Sequence, residues 1–132
     1  MFIELHAQSA FSFLEGAEHP EAFAAEAARL EMPAVALVDR DGVYGAPRLN
    51  RAAANAGVKP IVGSEITLAD GSRLPLLVED REGYQNLCRL ITRMKLRSPK
   101  GEGALMLDEL DGRTTGLALD SEANDDRIIR VI

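Results

Sequence analysis

Residues 34 to 41 read AVALVDRD. Five consecutive apolar residues ended by three charges are too short for a buried helix. They form the pattern of a strand covered on both faces. The flanking segments show what does the covering. FIELHAQ (2 to 8) reads as a preceding strand, and EHPEAFAAEAARLE (18 to 31) as the helix between the two. Pro20 suits that helix's first turn, Glu21 its positive N-terminal end and Arg29 its C-terminal end, with Phe23, Ala27 and Leu30 along one face. After the turn GVYGA, PRLNRAAANAG (47 to 57) is a second helix closed by Gly57. KPIVGSEITLA (59 to 69) and SRLPLLVED (72 to 80) are strands on either side of Asp70-Gly71, a hairpin signal. This β-α-β-α-β order predicts an α/β fold with a largely parallel sheet.

The third helix, 82 to 97, carries Tyr84, Leu87, Cys88, Ile91 and Met94 as an apolar stripe, with Arg89, Arg93 and Arg97 on a different side. LDELDG (107 to 112) is a short helical turn, and TTGLALD (114 to 120) a fifth strand. The last residues, SEANDDRIIRVI, change character, so 1–119 is taken as the domain and 120–132 as a divergent tail.

Composition narrows the function. At 132 residues with 46% hydrophobic residues, the chain suits one domain with its own core. Without Trp, that core is built from Leu, Val, Ile and Ala. One cysteine, Cys88, rules out an intramolecular disulfide or a multi-cysteine zinc site, and is assigned to the helix stripe. No apolar run approaches the roughly 20 residues of a membrane span. The N-terminus lacks a signal-peptide pattern, so a cytoplasmic location is expected. A net charge of −6 argues against the chain as a whole binding nucleic acid. The local exception is CRLITRMKLRSPK (88 to 100), in which Arg89, Arg93 and Arg97 are candidate phosphate or partner contacts, set against a solvated helix side.

In α/β folds, ligands gather at the carboxyl ends of strands, and the candidate chemical residues track those ends. His6 and Gln8 close the first strand, Asp39, Arg40 and Asp41 close the second, and Glu65 lies in the third. Residues two apart on a strand share a face, so a histidine pair at 6 and 8 would chelate a divalent ion; glutamine at 8 is a poor ligand. Asp39 and Asp41 are also suited to capping the turn that follows them, which is the reading adopted for both. His19, beside Pro20, is an ordinary helix-start residue.

The blocks LHAQSAFSFLEGA, ALVDRDGVYGA, VGSEITL, RLPLLVEDREGYQNLCRLIT and KLRSPKGEG together resemble the PHP (polymerase and histidinol phosphatase) domain, in particular the amino-terminal part of bacterial DNA polymerase III alpha chains of the error-prone type. The resemblance runs from about residue 2 to about residue 117 and is thin in the last fifteen residues. It implies part of a (β/α)7 barrel holding metals at the strand ends. It also implies ligand positions. His6 matches one histidine of a His-x-His pair and Gln8 replaces the other. Glu15 stands for an aspartate, Arg40 replaces a histidine between Asp39 and Asp41, Glu65 keeps an acid, and Arg73 replaces another histidine. Further family ligands fall beyond residue 132. The two arginines stay protonated and would pair with Glu15, Glu65 or Asp41 in place of cations.

Three readings follow. The first is a non-catalytic PHP-type module with a structural or assembly role in DNA replication or repair, without a bound cofactor and without polymerase activity of its own. The second is a small metal-dependent phosphoesterase using His6, Glu15, Asp41 and Glu65 with weakly held zinc, manganese or magnesium. The third is a relic fragment. Five strands do not close a seven-stranded barrel, so the open side is expected to be covered by a homodimer, by a polymerase-type partner, or by Ile128, Ile129 and Val131 of the tail.

Overall fold

The structure, a computed structural model, describes residues 3–12 and 16–119. The tail at 120–132, with its proposed apolar contacts, and Glu15 lie outside the described residues. The described chain forms β1 (Glu4–Ala7), α1 (Pro20–Arg29), β2 (Ala34–Arg40), α2 (Ala46–Ala56), β3 (Lys59–Thr67), β4 (Arg73–Val78), α3 (Arg81–Leu96), a 3-10 turn at Leu107–Leu110, and β5 (Leu117–Leu119).

The five strands form one sheet in sequence order. β1, β2 and β3 pair in parallel through the two helical crossovers. β4 turns back against β3 through the Asp70-Gly71 hairpin, with Gly71 in the left-handed region at φ 86°. β5 pairs antiparallel to β4, so four of the five strands run the same way.

The register fixes the faces. Leu37 lies opposite Val62, Ser64 opposite Leu76 and Ile66 opposite Leu74, so these residues share one side of the sheet. That side is covered by all three helices. Val35 and Leu37 pack with Ala24, Ala27, Leu49 and Ala53 of α1 and α2, while Ile66, Leu74 and Leu76 pack with Leu87, Leu90, Ile91 and Met94 of α3. Leu49, Ile66, Leu74, Leu76, Leu87 and Leu90 are fully buried, each stabilising the fold by about 1.5–3 kcal/mol. The opposite face carries a smaller cluster of Ala36, Val38 and Leu77, flanked by Ile61 and Ala118. As AVALV implied, β2 is buried along its whole apolar run.

Two helices are rotated from the phase their sequences suggest. α1 buries Pro20, Ala24 and Ala27, with Phe23 only partly buried and Leu30 exposed at the C-cap. The narrow alanine face packs with Val35 and Leu37 of β2. α3 buries Gly83, Leu87, Leu90, Ile91 and Met94, leaving Tyr84 exposed and Cys88 half-buried rather than core. The cause is at its N-terminus. A Cβ on Gly83 would stand 1.9 Å from the carbonyl oxygen of Gly116, so the backbones touch there. Asp80 fixes the same turn by accepting the Gly83 N–H at 2.8 Å, a side-chain N-cap. Among the described residues no helix is long and apolar enough to cross a membrane.

Candidate functional site

The carboxyl ends of β1, β2 and β3 meet at one rim of the sheet, and the chemistry-bearing residues meet there too. Asp39 is its anchor. Strand alternation from Leu37 puts its side chain on the helix-covered face, where it is 1% exposed and meets the loop after β1. Its Oδ1 accepts the Ser9 N–H at 2.6 Å and the Ser12 hydroxyl at 2.7 Å, and its Oδ2 accepts the Ser9 hydroxyl at 2.7 Å. Ser12 Oγ in turn accepts the Arg40 N–H at 3.0 Å. Asp39 therefore does not cap its own turn. It ties the β1–α1 loop to β2, with four charge-assisted or relayed bonds satisfying a buried carboxylate.

Asp41 does not cap its turn either. It sits at φ 51°, and its carboxylate accepts the Thr67 N–H and the Thr67 hydroxyl, both at 2.7 Å, fastening the end of β2 to the end of β3. Arg40 Nε lies 3.7 Å from Asp41 Oδ2. Nothing in the sequence signals the two serines or Thr67, because each acts through a residue more than 25 positions away.

On the opposite face, Glu65 lies across from Pro75 and Arg73 from Thr67, so Glu65 and Arg73 are diagonal neighbours in the β3–β4 hairpin, and His6 reaches Glu65 from β1. Glu65 Oε2 stands 2.6 Å from His6 Nε2, and Arg73 Nη1 donates to Glu65 Oε1 at 3.2 Å. The Glu65 side chain is 9% exposed, so one buried carboxylate is shared between an imidazole and a guanidinium. Gln8 is half-buried just beyond β1. Among the described residues no three His, Cys, Asp or Glu side chains converge as a metal would require. Among the described residues at the positions that the family resemblance marks as ligands, Asp41 is bound by Thr67, and Arg73 occupies the second oxygen of Glu65.

The basic run on α3 divides. Arg93 Nε and Arg97 Nη2 both approach Glu109 of the 3-10 turn, at 3.1 and 2.6 Å, and Arg97 also donates to the Ala104 carbonyl at 2.8 Å. The Arg97 hydrogen bond holds the Glu109 carboxyl below its usual range, helped by the Met106 N–H and opposed by partial burial. Arg89 reaches Asn86 on its own helix at 3.4 Å. Arg93 and Arg97 thus brace the segment after α3.

An incomplete α/β barrel wall with an ion-paired cluster at its strand ends is the class of structure these features define. Residues 4–127 match the PHP domain, and the chain belongs to that family. It is 46% identical to the error-prone DNA polymerase of Methylococcus capsulatus over 111 residues, which cover 84% of this chain and 11% of that one. It is also 46% identical to that of Pseudomonas aeruginosa over 116 residues, covering 88% and 11%. The chain therefore spans about a tenth of the length of these relatives. Among solved structures it is similar to a protein assigned as a metal-dependent phosphoesterase from Bifidobacterium adolescentis (TM-score 0.55, 22% identity, covering 72% of this chain and 34% of that one). It is likewise similar to an amidohydrolase from Chromobacterium violaceum with bound sulfate and no metal (TM-score 0.55, 25% identity, covering 70% and 32%). The family match extends past residue 119, into the segment that sequence character alone sets apart.

Proposed function

We propose that this chain is a non-catalytic PHP-type module in which internal ion pairs have replaced the metal site, and that it serves a structural or assembly role beside an error-prone polymerase. The observation that carries this reading is the Glu65 cluster: the acid retained at a ligand position is held by His6 on one oxygen and Arg73 on the other. A guanidinium keeps its charge at every physiological pH, so a cation entering beside Glu65 has first to displace Arg73. The polymerase-type partner rests on the 46% identity to error-prone polymerases. On the face bearing Ala36, Val38 and Leu77, which are buried, no helix lies among the described residues, and the partly exposed Ile61 and Ala118 flank that cluster; we assign this side to that partner, a second copy being the alternative occupant.

The metal-dependent phosphoesterase reading is favoured by the activity assigned to the structurally similar protein from Bifidobacterium adolescentis. The occupied carboxylates of Asp41 and Glu65 count against it. Hydrolysis of bis(p-nitrophenyl) phosphate with added manganese or zinc decides between them. The non-catalytic module gives no turnover that differs between the wild type and His6→Ala. Turnover that His6→Ala abolishes would establish the phosphoesterase instead.

A further inference from the structure

The outer side of α3 is used neither by the core nor by the strand-end rim. Arg89, Thr92, Arg93 and Leu96 follow at i, i+3, i+4 and i+7, so they form one stripe along the helix. All four are exposed, and they face away from the Leu87, Leu90, Ile91 and Met94 that pack on the sheet. The charge of this side is unlike that of the chain. The net charge is −6, yet residues 88–100 hold Arg89, Arg93, Lys95, Arg97 and Lys100 without an acid among them.

The one carboxylate that meets this side lies beneath it. The Glu109 side chain is 10% exposed, while those of Arg93 and Arg97 above it are 49% and 41% exposed. One acid under two guanidiniums leaves a positive charge in excess. Arg93 spends only Nε on Glu109, at 3.1 Å, and Arg89 only Nη1 on Asn86, at 3.4 Å. Among the described residues, the other N–H donors of both forks have no protein acceptor. Apolar surface borders them. Leu96 is 84% exposed, more than any other large apolar residue of the described chain. Met106, whose N–H donates to Glu109 at 3.1 Å, is 54% exposed.

We infer that the outer side of α3 docks an acidic amphipathic helix of a partner protein. Carboxylates one turn apart on that helix meet Arg89 and Arg93, and an apolar side chain beside them covers Leu96. The charge complementarity names the occupant. Guanidinium forks match carboxylates in geometry as well as in sign. A nucleic-acid backbone would also satisfy the arginines, but it would leave Leu96 and Met106 in water. A helix with one acidic and one apolar stripe satisfies both, and such helices are a recurring form of recognition. This surface is separate from the open sheet face assigned above. The inference therefore goes beyond the proposed structural role, and its failure would leave that role untouched.

Fluorescence anisotropy on the whole chain tests it. The probe is a fluorescein-labelled synthetic helix with glutamates at every fourth position beside a stripe of leucines. The expected result is binding that Arg89→Glu weakens about tenfold or more, because like charges then face each other. Leu96→Ser weakens it by a comparable factor. Lys59→Glu makes the same charge change at an exposed residue outside α3 and leaves binding unchanged. Replacing the probe's glutamates by glutamines has the effect of Arg89→Glu on the wild-type chain, which keeps the reading independent of how that variant folds. No binding of the peptide overturns the inference, as does equal weakening by Arg89→Glu and Lys59→Glu. So does tighter binding of a labelled DNA duplex that Arg89→Glu weakens and Leu96→Ser leaves intact.

Discussion

Asp39 does more for the rim than any other residue, and it does so with no chemistry of its own. Its carboxylate is buried and ties three donors of the β1–α1 loop. Asp39→Ala leaves the Ser9 amide and two hydroxyls without their acceptor, at a cost of about 3 kcal/mol, measurable as a lowered urea midpoint with an unchanged slope. Glu109 gives a pH-dependent counterpart. Its pKa is lowered in the folded protein, chiefly by the Arg97 hydrogen bond, so its contribution is present above the ordinary glutamate range and is lost as the pH falls through the lowered value. Glu109→Gln is therefore expected to destabilise the protein at pH 7 and to flatten the fall in stability on acidification, seen as melting temperatures that converge with the wild type once the pH has fallen below the glutamate range. The sequence showed which residue types gather at the strand ends, and it anticipated that arginines at 40 and 73 would meet acids. It did not show that Asp39 and Asp41 brace across strands, because hydroxyl and amide donors such as Ser9, Ser12 and Thr67 leave no periodic trace.

Elements were more legible than their contacts. The apolar run of β2, the Asp70-Gly71 hairpin and the Gly57 cap each encode their structure locally, and each is found where the sequence put it. The rotation of α1 and α3 was not legible, since it depends on what the helices touch. In α3 the deciding contact joins Gly83 to Gly116, which no helical pattern within 81–96 can reveal. In an isolated helix, glycine to alanine is stabilising by about 1 kcal/mol. Here the added methyl meets a carbonyl oxygen at 1.9 Å, and α3 has to shift off β5. Gly83→Ala is accordingly expected to destabilise the protein by about 1–3 kcal/mol, the usual range for an overpacked contact, in a denaturant titration. A stabilised variant would show that the two backbones do not touch.

For the molecule as a whole, the sheet has two unlike faces. One is sealed by three helices. The other carries a small apolar cluster and, at its rim, a carboxylate shared by His6 and Arg73. A PHP-family chain that spans about a tenth of its polymerase relatives retains the wall on which a metal site would stand, while the side chains on that wall satisfy one another. The most direct test of the proposed replacement of a metal site by ion pairs is calorimetric titration of the purified chain with zinc and with manganese, after elemental analysis of protein prepared without chelators. A wall satisfied by its own ion pairs carries no stoichiometric metal and gives no heat that depends on His6. One equivalent of metal, bound by the wild type and lost in His6→Ala, would show instead that the rim is still a metal centre.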